Sequence, residues 1–194
     1  MKKMLLILTI GFFNQYLFSQ EIVDFKEIYV YDELVYKNVN DMLFSGMAQK
    51  KRKNGHLVYE ETYDNGVILS SKQYFNGKEV RVSNETIYNS RKPNVVSKEN
   101  DYRLDKSLFR TITYDEDGKK IFVQIFNKGK LTYSCQYKGK KKHGIELEYD
   151  EEGEKLVRRA IYIDGKKNGK EYCVCKKGKE TITEYKNGKR IKNK

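Results

Sequence analysis

The chain has 194 residues, with 39 Lys and Arg against 27 Asp and Glu, a formal net charge of +12, 16 tyrosines, no tryptophan and one proline. With 34% of residues charged, a thick two-layer core is excluded, because it would need more leucine, isoleucine and valine. A single sheet with aromatic-covered faces fits both this composition and the length of one ordinary domain.

Met1-Lys2-Lys3 opens the chain and an apolar run from Met4 to Phe13 follows, with small Ser19 standing just before charge resumes at Glu21. This order predicts a secretory signal peptide over residues 1–19; an uncleaved anchor helix is the competing reading, and the apolar run is short for a membrane span. No cysteine lies near the cleavage point, which argues against a lipid-anchored precursor. The expected location is exported, in the periplasm or at the cell surface. Losing Lys2 and Lys3 leaves 37 basic and 27 acidic residues, a mature charge of +10.

Glycine then recurs with a short period. Gly55, Gly66 and Gly77 are eleven apart, and Gly118, Gly129, Gly139, Gly153, Gly165, Gly178 and Gly188 follow at ten to fourteen. Most lie in Asn/Asp/Lys-Gly-Lys turns, three residues after Tyr63, Tyr74, Phe126, Tyr162 or Tyr185. Between them are alternating segments of strand length, such as 57–63 and 131–137. Strand plus tight turn, repeated, predicts an all-β fold: an antiparallel meander of short hairpin repeats forming an open, twisted, largely single-layer sheet.

The pattern fails once. Residues 83–110 lack glycine and contain Pro93. One degenerate strand fits Arg81 to Tyr88, and the polar stretch from Arg91 to Leu104 reads as loop. The expected organisation is a signal peptide (1–19), N-terminal strands and hairpin repeats (20–82), an interruption (83–110) that is a loop or degenerate repeat, and C-terminal hairpin repeats (111–194).

Leu34-Val35-Tyr36-Lys37, Phe44-Ser45-Gly46-Met47-Ala48, Tyr137 to Gly144 and Tyr162 to Lys170 together spell an aromatic, a spacer, Asn or Asp, Gly-Lys and a second glycine. This spelling resembles the MORN-variant repeat of the YwqK-type antitoxin family over about residues 34–82 and 111–190. The resemblance implies an all-β meander and an immunity or antitoxin role.

Chemistry for catalysis is not evident. His56 and His143 have turn explanations, and Glu60-Glu61 and Glu146/Glu148 read as a solvated face opposite lysines. No enzyme activity, cofactor or metal is expected. Cys135, Cys173 and Cys175 are expected to be unpaired, because three strand steps span about 14 Å, beyond disulfide reach.

Lys78, Lys119, Lys130, Lys140, Lys166, Lys179 and Lys189 each follow a turn glycine, and Lys141, Lys142 and Lys167 add density. Alternate turns of a meander fall on opposite rims, so two basic fringes are expected. Export argues against nucleic acid as the ligand. A protein partner, in the immunity reading an envelope-acting toxin, is the first expectation; an anionic envelope surface, phospholipid or lipopolysaccharide, is the alternative. For the hairpin over 131–149, alternation puts Leu131, Tyr133, Cys135, Tyr137, Ile145, Leu147 and Tyr149 on one face, and Glu146 and Glu148 on the reverse. The candidate partner-binding residues are Tyr133, Tyr149, Lys140, Lys142, Lys166 and Lys167.

Overall fold

The computed structural model describes residues 21–174 and 178–191. The signal-peptide reading of residues 1–19 and the expectation for Cys175 lie outside them. The chain begins with β1 (Ile22–Asp24), a 3-10 turn (Phe25–Glu27), and a separate hairpin of β2 (Ile28–Tyr31) and β3 (Leu34–Lys37). The sheet proper then runs through β4 (Gly46–Lys51), β5 (Leu57–Asp64), β6 (Val67–Tyr74), β7 (Val82–Tyr88), β8 (Val96–Tyr102), β9 (Leu108–Tyr114) and β10 (Lys120–Asn127). It continues with β11 (Lys130–Lys138), β12 (Lys141–Tyr149), β13 (Leu156–Ile163), β14 (Lys166–Lys167), β15 (Gly169–Val174), β16 (Glu180–Lys186) and β17 (Lys189–Arg190). From β4 onward each strand pairs antiparallel with its predecessor, save that β14 and β15 both pair with β13. The result is an all-β meander that does not close into a barrel. β1 adds to the outer edge of β4 in parallel, with the β2–β3 hairpin as the crossover.

The stretch over 83–110 is neither a loop nor a boundary. β7 and β8 pair with each other and with β6 and β9, so the sheet passes through without a break. The left-handed turn position is filled by Asn94 (φ 64°) after β7 and by Lys106 (φ 70°) after β8, where other repeats use glycine. The aromatics are kept: Tyr88 and Tyr102 end their strands as Tyr74 and Tyr114 do.

Each of these aromatics sits at a slip in register. The ladder shifts at Thr62/Tyr63, Gln73/Tyr74, Ile87/Tyr88, Asp101/Tyr102, Ile125/Phe126, between Cys135 and Tyr137, and at Glu148/Tyr149. A bulge bends and twists the strand locally. A bulge close to the strand-ending aromatic therefore recurs along much of the sheet between β5 and β12.

The one apolar core cluster among the described residues lies at the N-terminal end. Val23, Val35, Phe44, Ala48 and Tyr63 are buried, with Phe25, Ile28 and Ile68 packed around them. The β2–β3 hairpin covers this end of the sheet: Val35 N–H donates to the Gly66 carbonyl and Phe44 N–H to the Val35 carbonyl, both at 2.9 Å. A Cβ on Gly66 would lie 2.7 Å from Leu43 Cδ2 and 3.0 Å from the Val35 carbonyl oxygen, so the closure depends on glycine there. Burial of Phe44 and its neighbours contributes about 1.5–3 kcal/mol per large side chain.

Candidate binding face

Residues paired across an antiparallel ladder share a face. On the front face one row runs Ala48–Glu61–Ser71–Thr86–Glu99–Ile112–Val123–Cys135–Glu146–Ala160. On the back a row runs Gln49–Glu60–Lys72–Glu85–Asn100–Thr111–Gln124–Ser134–Leu147–Arg159–Tyr172–Ile182. The back row is polar from β4 to β11. From β12 onward it holds Leu147, Tyr172 and Ile182, with Arg159 between.

This register corrects the face expected for the 131–149 hairpin. Tyr133 pairs with Glu148 and Cys135 with Glu146, whereas Ser134 pairs with Leu147. Glu146 and Glu148 therefore join Tyr133 and Cys135, and Ile145 and Leu147 go to the back. Simple alternation carried through the turn failed because the two-residue turn at 139–140 pairs Lys138 with Lys141 and Tyr137 with Lys142, so odd-numbered residues of β11 share a face with even-numbered residues of β12. Nor is Glu146 solvated: its side chain is 0% exposed.

Glu146 is held by a network on the front face. It accepts from Tyr133 Oη at 2.9 Å and from the Lys142 ammonium. Its Oε2 lies 3.0 Å from Arg158 Nη1 as an ion pair, with no hydrogen bond of its own. Arg158 Nη1 donates to Glu148 at 2.5 Å, Nε to Glu171 at 2.8 Å and Nη2 to Tyr162 Oη at 3.1 Å. Lys167 Nζ donates to Glu171 at 2.6 Å. Three cations meet three carboxylates, so the network is neutral. Burial by itself would raise the Glu146 carboxyl, but Lys142, Tyr133 and Arg158 outweigh it and hold the carboxyl below its ordinary value. Glu171 is lowered in the same way, burial being outweighed by Lys167 and Arg158. Burial, with Cys135 and Glu146 adding to it, pushes the Tyr133 hydroxyl far up.

A repeated spacing builds this network. Lys142, Gly144 and Glu146 share the front face, as do Lys167, Gly169 and Glu171. In an extended strand the ends of such a triplet are about 13 Å apart, so the lysine has to lie along its strand to reach the glutamate. The middle residue is a glycine with positive φ in both, 98° at Gly144 and 86° at Gly169. Its cross-strand partner is a tyrosine, Tyr162 for Gly144 and Tyr185 for Gly169. The lysine ammonium lies over that ring, 5.2 Å from the Tyr162 centroid for Lys142 and 4.8 Å from the Tyr185 centroid for Lys167. In both triplets a rim lysine thus lies along its own strand against a tyrosine ring and reaches a glutamate.

The six sequence candidates divide accordingly. Tyr133, Lys142 and Lys167 are network members and are committed internally. Lys140 and Lys166 are exposed, on the same rim as Lys142 and Lys167. The turns of that rim are stitched together, with Gly165 N–H donating to the Lys142 carbonyl and Gly188 N–H to the Lys167 carbonyl, both at 2.8 Å. Tyr149, half-buried at the far end of β12, lies toward the opposite rim. Residues 83–110 cap neither tyrosine, because they run in the plane of the sheet.

Sequence reading missed the bare apolar area on the back. Ile145 pairs with Ile161, and both lie beside the Leu147–Arg159–Tyr172–Ile182 row. Ile145 is 38% and Ile182 70% exposed. The register slips decide which residues meet there, and periodicity alone does not show them. Cys135 is buried and unpaired, and Cys173 is partly buried and unpaired. His56 Nε2 lies 2.9 Å from the Phe75 carbonyl oxygen, and His143 Nδ1 accepts from the Asp164 N–H at 3.4 Å. Among the described residues no group of three or more His, Cys, Asp and Glu is placed to hold a metal, and no helix is long and apolar enough to cross a membrane. No family model matches the chain, and no curated protein is similar to it in sequence at a significant level.

Proposed function

We propose that this is an exported, non-enzymatic binding protein, and that the back face of β12–β16 is where it meets a partner protein. The observation that carries this reading is the contrast between the two faces of the same strands. The front is closed by its own ion network, while the back leaves Ile145, Leu147, Ile161, Tyr172 and Ile182 without a covering layer. Clustered exposed apolar side chains, rimmed by charge, are the usual form of a protein contact surface. Lys140, Lys166 and Lys170 are exposed around them, which suits a partner whose own apolar patch has an acidic border. The immunity reading is the narrower form of this proposal; it rests on the resemblance of the repeat spelling and adds a toxin acting in the envelope as the partner.

The same isoleucines beside lysines favour a second reading, docking on an anionic lipid surface. One pair of measurements separates the two. The protein is mixed with the polypeptide encoded beside its gene and, separately, with vesicles of 30% anionic phospholipid or with lipopolysaccharide, at 0.05 and 0.5 M salt. A complex that survives high salt and is lost in Ile182→Asp, with the fold intact by circular dichroism, supports the protein reading. Vesicle or lipopolysaccharide binding that disappears at high salt, with no protein complex, replaces it with the lipid reading.

A further inference from the structure

A groove of about 380 Å³ opens on the rim where the β6–β7 and β8–β9 turns stand side by side, lined by Val80, Arg81, Val82, Glu85, Tyr102 and Lys106. Arg81 ties the two turns together, its Nη1 donating to the Leu104 carbonyl at 2.9 Å. Its Nε is shut off from solvent and has no acceptor among the described residues. The Glu79 carboxylate stands 3.9 Å from it, beyond bonding distance, and that side chain is 70% exposed. Glu85 accepts from Asn100 at 3.1 Å and from Tyr102 at 3.0 Å through one oxygen and makes no hydrogen bond or ion pair with Arg81. A buried N–H left without a partner is costly, so such a group in a native fold calls for an acceptor.

The surroundings say what kind of acceptor fits. Lys106 brings a second cation to the groove, and Val80, Val82 and the Tyr102 ring give it an apolar wall. Val80 and Leu104 are 54% and 55% exposed at its mouth, so that wall is not closed by the protein. The edge of a guanidinium matches the two oxygens of a planar carboxylate. Glu79 and Glu85 beside it disfavour a doubly charged phosphate head. The size lies in the range of small-ligand sites. We propose that this groove binds a monocarboxylate with a short apolar tail, the head on Arg81 and Lys106 and the tail along Val80, Val82 and Tyr102. The site lies in β6–β9, away from the back face of β12–β16, and stands or falls independently of it.

The test follows the Arg81 Nε–H signal in ¹⁵N-labelled protein during titration with hexanoate, at constant ionic strength. Hexanoate is expected to shift that signal and the Val80, Tyr102 and Lys106 amides saturably, at least tenfold more tightly than hexanol or hexyl phosphate. Lys106→Ala and Arg81→Lys should each weaken hexanoate at least tenfold; the first is a surface change that keeps the fold, and the second keeps the charge but not the fork. Glu79→Gln should leave binding unchanged or tighter, because Glu79 is the nearest competing anion. Three results overturn the proposal. One is an equal response to acetate, which would mean that the tail wall does nothing. Another is preference for hexyl phosphate. The third is an Arg81 Nε–H signal that moves on Glu79→Gln without ligand and then ignores hexanoate, which would make Glu79 the resident acceptor.

Discussion

Phe44 and Lys142 occupy the same slot of the repeat. Each stands two residues before a glycine that pairs across the ladder with a tyrosine: Gly46 with Tyr63, and Gly144 with Tyr162. Two residues past the glycine come Ala48 in the first case and Glu146 in the second, all four flanking residues lying over the same face. At the N-terminal end the slot is filled with hydrocarbon and the β2–β3 hairpin closes over it. At β12 it is filled with an ion pair and nothing covers it except the lysine stem and the tyrosine ring. One spacing thus supports two kinds of core, and a single layer can continue where no second layer exists. Long charged side chains cover apolar surface with their stems while keeping the head near water.

The two cores should respond differently to acid. Phe44→Ala removes a fully buried ring and is expected to cost about 3–5 kcal/mol at any pH. Glu146→Gln leaves Lys142 and Arg158 facing a neutral amide and is expected to cost about 3 kcal/mol at pH 7. The Glu146 carboxyl is held below its ordinary value in the folded chain. Its contribution is therefore complete above the unfolded value and is lost as pH falls through the folded one, and Glu171 behaves likewise. Urea unfolding of wild type and both variants should show the Glu146→Gln gap narrowing as pH falls below about 5 while the Phe44→Ala gap persists. A Glu146→Gln gap that stays constant with pH would mean that the carboxylate charge contributes nothing.

Gly144 and Gly129 both have positive φ, 98° and 79°. A Cβ on Gly129 meets nothing within 4 Å, but on Gly144 it would lie 2.1 Å from Gln136 Oε1 and 3.0 Å from Gln136 Cδ. Gly129→Ala should cost about 1–2 kcal/mol for the left-handed backbone alone. Gly144→Ala should cost at least about 1 kcal/mol more, which is a further drop of about 2–4 °C in melting temperature for a chain of this size. Equal melting temperatures would mean that the Gln136 side chain gives way to the added methyl without cost.

Glycine spacing made the repeat legible, and for the same reason it hid the repeat within 83–110. The left-handed position is a backbone requirement, and Asn94 and Lys106 meet it at a cost that the sequence does not display. The aromatics, Tyr88 and Tyr102, were the better guide, because the register slip beside each persists through 83–110 where the glycine does not. Lys106→Gly should therefore stabilise the chain by up to about 1 kcal/mol. A melting temperature that falls instead would show the lysine stem contributing more than the turn strain costs.

The front-face site was legible in part. Tyr133, Lys142 and Lys167 stand out in the sequence, but as contacts for a partner and not as each other's neighbours through glutamates. The reason is geometric: the two-residue turn at 139–140 puts Lys142 and Glu146 on the face of Tyr133 and Cys135, which simple alternation of odd and even positions does not show. Tyr133→Phe should cost about 1.5–3 kcal/mol, the range for a hydrogen bond to a charged group. Tyr149→Ala, which removes no described hydrogen bond, should leave the acid dependence of unfolding unchanged. Calorimetry of both variants at pH 7 and pH 4 checks this. A Tyr133→Phe protein as stable as wild type would show that Lys142 and Arg158 satisfy Glu146 alone.

Cys135 sits beside Glu146 in the same cross-strand row, 0% exposed, and burial pushes its thiol above the ordinary value. The thiolate is the reactive form, so both exposure and ionisation are suppressed. In the native protein Cys135 should resist a thiol reagent, while partly buried Cys173 reacts earlier. Three steps of the ladder, from β11 through β12 and β13 to β15, separate the two, about 14 Å of sheet and beyond disulfide reach. Mapping modified peptides over time at pH 8 should therefore show Cys173 labelled first and Cys135 only as the sheet opens. Glu146→Gln should speed Cys135 labelling about tenfold for each ~1.4 kcal/mol of stability it loses, because opening then controls access. Labelling of Cys135 at an unchanged rate in that variant would mean that the thiol is reached through local fluctuation of β11 and not through release of the network. Recovery of a Cys135–Cys173 bridge from unreduced protein would contradict the strand order itself.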